Sequence, residues 1–169
     1  RRTPYSMQYL FNVQREFTSN FVIEAGYLGS VSRKLESLRA VNEALPGATG
    51  SVVQRSPYPF FGRIQLVDNG GRGNYNSLGI KLTKRYSRGL STLVSYTWSK
   101  SIDETSGIRV NDGDTLFPQN SYCMRCERGL SAFDTRHRFV TSLLYDLPVG
   151  KGKAWNIENG FADTIIGGW

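Results

Sequence analysis

The chain has 169 residues, and 21 Lys and Arg against 14 Asp and Glu give it a net charge of +7. This length is typical of one domain, and no stretch approaches the roughly 18 apolar residues of a membrane helix. The basic residues are scattered at strand ends and turns, which argues against a nucleic-acid partner. The 12% aromatic content and the 18 glycines favour strands and turns.

The first predicted strand covers residues 5–17, "YSMQYLFNVQREF". Its odd-numbered positions are mostly apolar and its even-numbered positions mostly polar, with Leu10 and Arg15 as the exceptions. Alternation with a period of two predicts a strand with two unlike faces. Thr18-Ser19-Asn20 then predicts a three-residue turn, and "FVIEAGYLGSV" a second strand.

A second hairpin follows the same pattern. "LGIKLTK" and "LSTLVSYTWSKS" predict a third and a fourth strand around the turn Ser87-Arg88-Gly89. Asn20 and Gly89 close the two turns, and both residue types tolerate the left-handed conformation that often ends a three-residue hairpin loop. On the fourth strand one face is apolar, whereas the other carries Ser and Thr without charge.

The connections differ in length at the two ends of the predicted sheet. A fifth strand is predicted at residues 137–147, and "FADTIIGGW" indicates the start of a sixth. Turns are short at one end, whereas residues 33–73 and 102–136 form long loops at the other. This sorting predicts an all-β, antiparallel up-and-down segment of a transmembrane barrel, about five to six strands of a larger one, with periplasmic turns and extracellular loops.

Aromatic residues are expected to border the apolar face. The eight steps from Leu90 to Trp98 span roughly 26 Å at ~3.3 Å per residue, which matches the apolar band of a barrel wall. A soluble β-sandwich with this face packed on a second sheet remains open at this point. The predicted girdle residues are Phe17, Phe21 and Tyr86 near the short turns, and Tyr5, Tyr27, Tyr96 and Trp98 towards the long loops.

Two cysteines, Cys123 and Cys126, form a C-x-x-C pattern in the second long loop. Such a pair can be half of a zinc site, a redox pair or a loop disulfide. No second pair completes a tetrahedral zinc site within this chain. An oxidising compartment would favour a disulfide or two thiols without a role.

No catalytic, metal or cofactor site is predicted, and the chain is expected not to be an enzyme. His137 is the only histidine, and Asp134 is the one carboxylate close to it in sequence, which predicts a polar cluster where the loop rejoins the wall. "NGGRGN" at 69–74 precedes a strand and so does not predict a phosphate loop. A solvated acidic loop without calcium-site spacing is predicted at Asp103, Glu104, Asp112 and Asp114.

"NYNSLGIKLTKRYSRGLSTLVSYTWSKSID" and "ERGLSAFDTRHRFVTSLLYDLPVGKGK" resemble TonB-dependent transporters of Gram-negative outer membranes, more narrowly their Oar-like β-barrel branch. "PYSMQYLFNVQREF", "VIEAGYLGS", "SPYPFFGRI" and "IIGGW" are similar to the same barrel, so the resemblance covers nearly the whole chain. It implies an outer-membrane barrel of about 22 strands with a plugged lumen. The implied partners are outer-membrane lipid, the TonB system acting through a plug that this chain lacks, and extracellular cargo.

Residues 1–169 are therefore expected to be part of one barrel domain whose plug and remaining strands lie elsewhere. The start, "RRTPYSMQYL", has no apolar run, which predicts an internal piece without a signal peptide. Two alternatives remain beside the transporter: a barrel that serves adhesion or surface structure, and the soluble sandwich.

Overall fold

The computed structural model describes residues 2–47, 49–108, 117–150, 152–155 and 160–161, and in it the chain forms a single sheet. A four-residue helix, α1 (Val52–Arg55), and a 3-10 turn (Met124–Glu127) lie in the connections. No helix among the described residues is long and apolar enough to cross a membrane. The strands are β1 (Tyr5–Thr18), β2 (Phe21–Ala40), β3 (Gln65–Ser87), β4 (Leu90–Asp103), β5 (Gly129–Leu130) and β6 (His137–Tyr145).

The sheet has the order β1-β2-β3-β4, and both β5 and β6 pair with β4 in antiparallel fashion. The predicted all-β up-and-down fold is thus confirmed. The chain divides into two compact units, residues 1–10, 28–77 and 99–136 in the first, and residues 11–27, 78–98 and 137–169 in the second. The first unit contains the long connections and the second contains the hairpin turns.

Apolar side chains are not collected into a core. Among the described residues, the buried hydrophobic ones are Val22, Leu38 and Ala40. By contrast, Leu10 and Phe11 on β1 are 70% and 69% exposed. A β-sandwich would need a second sheet over this apolar surface, and the described chain forms only one sheet. Within the described residues the chain therefore does not form the β-sandwich of the alternative prediction.

The two hairpin turns differ from their prediction. Strands β1 and β3 extend to Thr18 and Ser87, so two residues lie between the strands of each hairpin and not three. Gly89 is left-handed as predicted, with φ +78°, and Arg88 before it has φ +53°. Asn20 does not have positive φ. Its carbonyl accepts a hydrogen bond from the Arg85 N–H at 2.8 Å, so the neighbouring strand sets its backbone conformation.

The first long connection is shorter than predicted. Lys34 has φ +56° inside β2, the left-handed backbone of a β-bulge. Ser32 and Leu35 both face the position where Gly73 of β3 would carry a Cβ, at 3.9 and 3.5 Å, so the alternation shifts by one residue at the bulge. The prediction ended the strand where its alternation failed. In fact β2 continues to Ala40 and β3 begins at Gln65, which leaves residues 41–64 as the connection.

Three other predicted boundaries also change. β4 extends to Asp103, and the second connection contains the 3-10 turn and β5. β6 ends at Tyr145 and not at residue 147, because Tyr145 pairs with Leu90, the first residue of its partner strand β4. The predicted sixth strand lies outside the described residues, apart from Phe161.

Asn42 organises the first connection. Its Nδ2 donates to the carbonyls of Tyr58, Phe61 and Gly62 at 3.0, 2.9 and 2.8 Å. Its Oδ1 accepts from the Tyr58 N–H at 2.8 Å. One buried amide therefore satisfies several backbone groups of the loop, as buried polar groups require. Phe60, between these anchors, is 99% exposed.

Tyr9 spans three strands near the start of the sheet. A Cβ at Gly29 of β2 would collide with the Tyr9 ring, so the ring lies directly over this glycine. The Tyr9 hydroxyl donates to Asn76 Oδ1 on β3 at 3.2 Å. Gly29 therefore provides the space through which β1 reaches β3.

We expect Gly29→Ala to lower the free energy of unfolding by about 1–3 kcal/mol, the usual cost of overpacking. The added methyl must displace the Tyr9 ring and its bond to Asn76. The matched control is Gly79→Ala, whose Cβ would lie 3.8 Å from its nearest neighbour. Urea unfolding of the full-length protein in lipid vesicles measures both. Equal midpoints would contradict this packing.

Arg88→Asn should stabilise the second hairpin by about 0.5–1 kcal/mol. A left-handed conformation costs most L-residues roughly 1–2 kcal/mol, whereas Asn adopts it more readily. Arg88→Val should destabilise because a β-branched residue fits this region poorly. The same unfolding assay would contradict the assignment if Asn and Val had equal effects.

Candidate functional site

The register of β4 and β6 defines the two faces of the sheet in the second unit. Leu90 pairs with Tyr145, Tyr96 with Phe139 and Trp98 with His137. Directly paired residues point to the same side, so these side chains share one face, here called the apolar face. The opposite face, called the polar face, includes Ser95 and Thr97 on β4, and Val140 and Leu144 of β6 also lie on it, paired with Ser95 and Ser91.

Most residues of the apolar face are exposed. Exposure of a large continuous apolar surface marks a face that meets a membrane or a partner. β6 adds Phe139, Leu143 and Tyr145 to it, which the sequence analysis did not assign although their odd-numbered positions follow the alternation. All seven predicted girdle residues are exposed: Tyr5, Phe17, Phe21, Tyr27, Tyr86, Tyr96 and Trp98.

Polar groups accompany four of these seven rings. An aromatic ring with a polar partner suits an interface between apolar and aqueous surroundings. His137 belongs to this set, whereas Asp134 accepts from the Ser101 N–H at 2.7 Å and pairs with Arg136 at 3.9 Å, so two members of the predicted polar cluster do meet. The partners are Lys34 Nζ 5.1 Å from the Tyr5 ring, Arg15 5.9 Å from the Phe17 ring, the Asp146 carboxylate bonded by the Tyr86 hydroxyl, and His137 Nδ1 2.8 Å from the Tyr96 hydroxyl.

The polar face in the second unit also carries charge. Glu24 accepts from Asn12 Nδ2 at 2.7 Å and lies 3.6 Å from Lys81 Nζ. Glu16 and Arg85 form a second pair at 2.7 Å. These exposed pairs contribute little to stability. Their effect is to match charges across β1, β2 and β3, so that the polar face suits an aqueous interior.

In the first unit, Arg39 joins β2 and β3 to the second connection. Its Nε and Nη2 donate to the Ser121 carbonyl at 3.1 and 3.0 Å, and its Nη1 donates to Asp68 at 3.1 Å. The Ser121 hydroxyl accepts from the Ala40 N–H at 3.0 Å, and the Tyr122 hydroxyl donates to the Glu43 carbonyl at 2.6 Å. Arg39 thus contacts Asp68, 29 positions away, and Ser121, 82 positions away, and these polar contacts hold the segments together without an apolar core.

Asp68 is ionised in this arrangement. The Asn69 backbone N–H, 2.6 Å from its carboxylate, and then the Arg39 guanidinium hold the pKa of Asp68 below its usual 3.8. A lowered pKa stabilises the folded state above the unfolded pKa, and this stabilisation is lost as the pH falls through the folded pKa. The contact therefore persists at neutral pH and weakens only in acid below about pH 4.

Cys123 and Cys126 form a disulfide. It encloses the start of the 3-10 turn, where the Cys126 N–H donates to the Cys123 carbonyl at 2.9 Å. Among the described residues, no group of three or more His, Cys, Asp or Glu is placed to hold a metal ion. The disulfide lies two residues after Ser121, in the segment of the second connection that Arg39 binds.

The predicted solvated acidic loop is wrong for the two members that the structure describes. Asp103 and Glu104 are buried, because β4 and its sheet contacts continue further than predicted. The Ser106 hydroxyl donates to the Asp103 carboxylate at 3.0 Å, and the Glu104 N–H donates to the Arg72 carbonyl at 3.0 Å. Asp112 and Asp114 lie outside the described residues.

We expect Arg39→Lys to loosen the second connection. Lysine can keep the charge pair with Asp68 but cannot also make the forked contact with the Ser121 carbonyl. Hydrogen exchange of residues 117–127 in the full-length protein should rise about fivefold at neutral pH, for a loss near 1 kcal/mol. Asp68→Asn, which spares the Ser121 contact, is the control and should have a smaller effect. A larger effect of Asp68→Asn would contradict the role given to the fork.

A family model described as "Outer membrane beta barrel domain" matches residues 1–169. No curated protein matches the chain, and no solved structure does.

Proposed function

The chain belongs to the outer membrane β-barrel domain family, and on this premise we propose that it forms part of the wall of a TonB-dependent transporter of the Oar-like branch. Its location is the outer membrane. The proposed role is to bind large extracellular cargo and pass it across that membrane, with energy from the TonB system acting through a plug outside this chain. The role requires no catalysis.

The observation that carries the proposal is the unlike chemistry of the two faces. Exposed apolar side chains such as Phe11 and Phe139 require lipid or protein as surroundings. The hydrogen-bonded polar face, with Glu24 between Asn12 and Lys81, suits a hydrated lumen. Long connections lie outside the cell in such barrels, so residues 41–64 are proposed to face the cargo.

We propose that a cavity in the first unit receives one group of a larger cargo molecule. It has a volume of about 480 Å³, and its lining combines apolar side chains such as Leu35, Ile108 and Phe133 with Tyr75, Asp103 and several hydroxyl groups. This size lies within the roughly 300–1,000 Å³ of small-molecule sites. A lumen that contacts its cargo needs polar and aromatic groups of this kind.

A second candidate function, adhesion, is favoured by one observation. Phe60 is 99% exposed on a connection that Asn42 holds in shape. A rigidly presented aromatic side chain is typical of protein-binding surfaces. In this case the connections would bind partners and nothing would pass through the barrel.

The transporter and adhesion proposals are distinguished by measuring uptake of external compounds and attachment to surfaces in strains that differ only in the gene under test. We expect deletion of the gene and disruption of the TonB system to abolish uptake of the same compounds, and full-length protein in energised cells to crosslink to TonB. Migration of the unheated protein on gels should change on boiling, as for a closed barrel. Loss of surface attachment with unchanged uptake and no TonB crosslink would overturn the transporter proposal and favour adhesion.

A further inference from the structure

Basic residues that are distant in sequence meet at one cavity of the first unit. Arg39 from β2, Arg72 from β3 and Arg125 from the 3-10 turn line a cavity of about 390 Å³. The same lining contains two carboxylates, Asp68 and Glu104. The scattered positions of these arginines in the sequence gave no indication of this cluster.

The charges of the lining do not cancel. Arg39 and Asp68 neutralise each other in their ion pair at 3.1 Å. Arg72 and Arg125 form no ion pair within the described part of the chain, and Glu104 supplies one negative charge against their two. Two guanidinium groups beside one cavity repel each other, and a bound anion would relieve this repulsion.

Neighbouring contacts fix the backbone of Arg72 and of Arg125, whose side chains are exposed. The Arg72 carbonyl accepts from the Glu104 N–H at 3.0 Å, which ties its backbone to the end of β4. The disulfide spans Arg125, and the Arg125 carbonyl accepts from the Arg128 N–H at 3.3 Å. Gly70 also lines the cavity and adds no side chain to it.

We propose that Arg72 and Arg125 form a binding site for a phosphate group. Guanidinium groups present several donors in a plane and match the oxygens of phosphate. Arg39, whose donors are already used by Asp68 and Ser121, is a positioning residue that fixes the segment carrying Arg125. The phosphate can belong to a lipid headgroup or to a free phosphate compound. The site goes beyond the proposed transport function and does not depend on it.

The test uses the purified full-length protein and two probes. Inorganic phosphate is titrated calorimetrically in detergent free of charged lipid, and retention of lipid A is measured by native mass spectrometry after exposure to phosphatidylcholine vesicles containing lipid A. Binding of phosphate alone identifies a free anion as the source, whereas retention of lipid A without phosphate binding identifies the lipid headgroup. Either result supports the site if the variants below behave as expected.

The double variant Arg72→Gln, Arg125→Gln should weaken binding of the active probe by at least about tenfold, since it removes two charge-assisted contacts. The matched control is Arg33→Gln with Arg128→Gln, which lowers the net charge equally, leaves the cavity lining intact and should change binding less than about twofold. Cys123→Ser with Cys126→Ser keeps every charge but frees Arg125, and should also weaken binding.

Three outcomes would overturn the site. They are failure of both probes to bind the wild-type protein, equal weakening by the two arginine pairs, and unchanged binding in the Arg72 and Arg125 double variant. None of them bears on TonB-dependent uptake, so loss of this site and loss of the transport proposal are distinguishable.

Discussion

Burial in this protein is reversed relative to a water-soluble domain. Nine polar or charged residues are buried among those described, against three hydrophobic ones. Such an arrangement is stable only where the surroundings of the apolar face are themselves apolar, and lipid meets that condition. In lipid every backbone group must also find a partner within the protein, and the hydrogen bonds between paired strands supply these partners. The fold of the chain therefore depends on the solvent in which it forms.

At the long connections, polar contacts and not buried apolar side chains hold the backbone in position. Asn42 holds residues 41–64, and Arg39 holds the second connection through Ser121. Each buried or half-buried contact is directional, so the loops take defined positions without needing many apolar side chains. This suits segments that lie outside the membrane, where apolar groups would be exposed to water.

Alternation of residue types was enough to predict the strands, their faces and the class of fold. It failed where one residue changed the phase, because Lys34 forms a bulge and neither its type nor its neighbours signal a left-handed backbone. The prediction from residue type failed at Asn20, which does not have positive φ and whose carbonyl instead accepts a hydrogen bond from Arg85 on β3. Contacts between distant positions, such as Arg39 with Ser121, leave no local pattern in one sequence. The long strands were therefore predictable, whereas the bulge, the start of β3 at Gln65, the short strand β5 and the arginine cluster were not.

The position of Tyr9 over Gly29 specifies the alignment of β1 with β2, which the backbone hydrogen bonds alone do not. A ladder of hydrogen bonds looks the same after one strand slides past its neighbour by two residues, and such a slip keeps every side chain on its own face. Ser6 would tolerate such a slip, because it lies near the hydroxyl groups of both Ser30 and Ser32 and would keep one of them as a hydrogen-bond partner. Tyr9 would not, because the slip sets its ring against Tyr27 or Val31 and removes the empty place that Gly29 provides. A missing side chain thus selects one alignment of β1 among several that the ladder alone would accept.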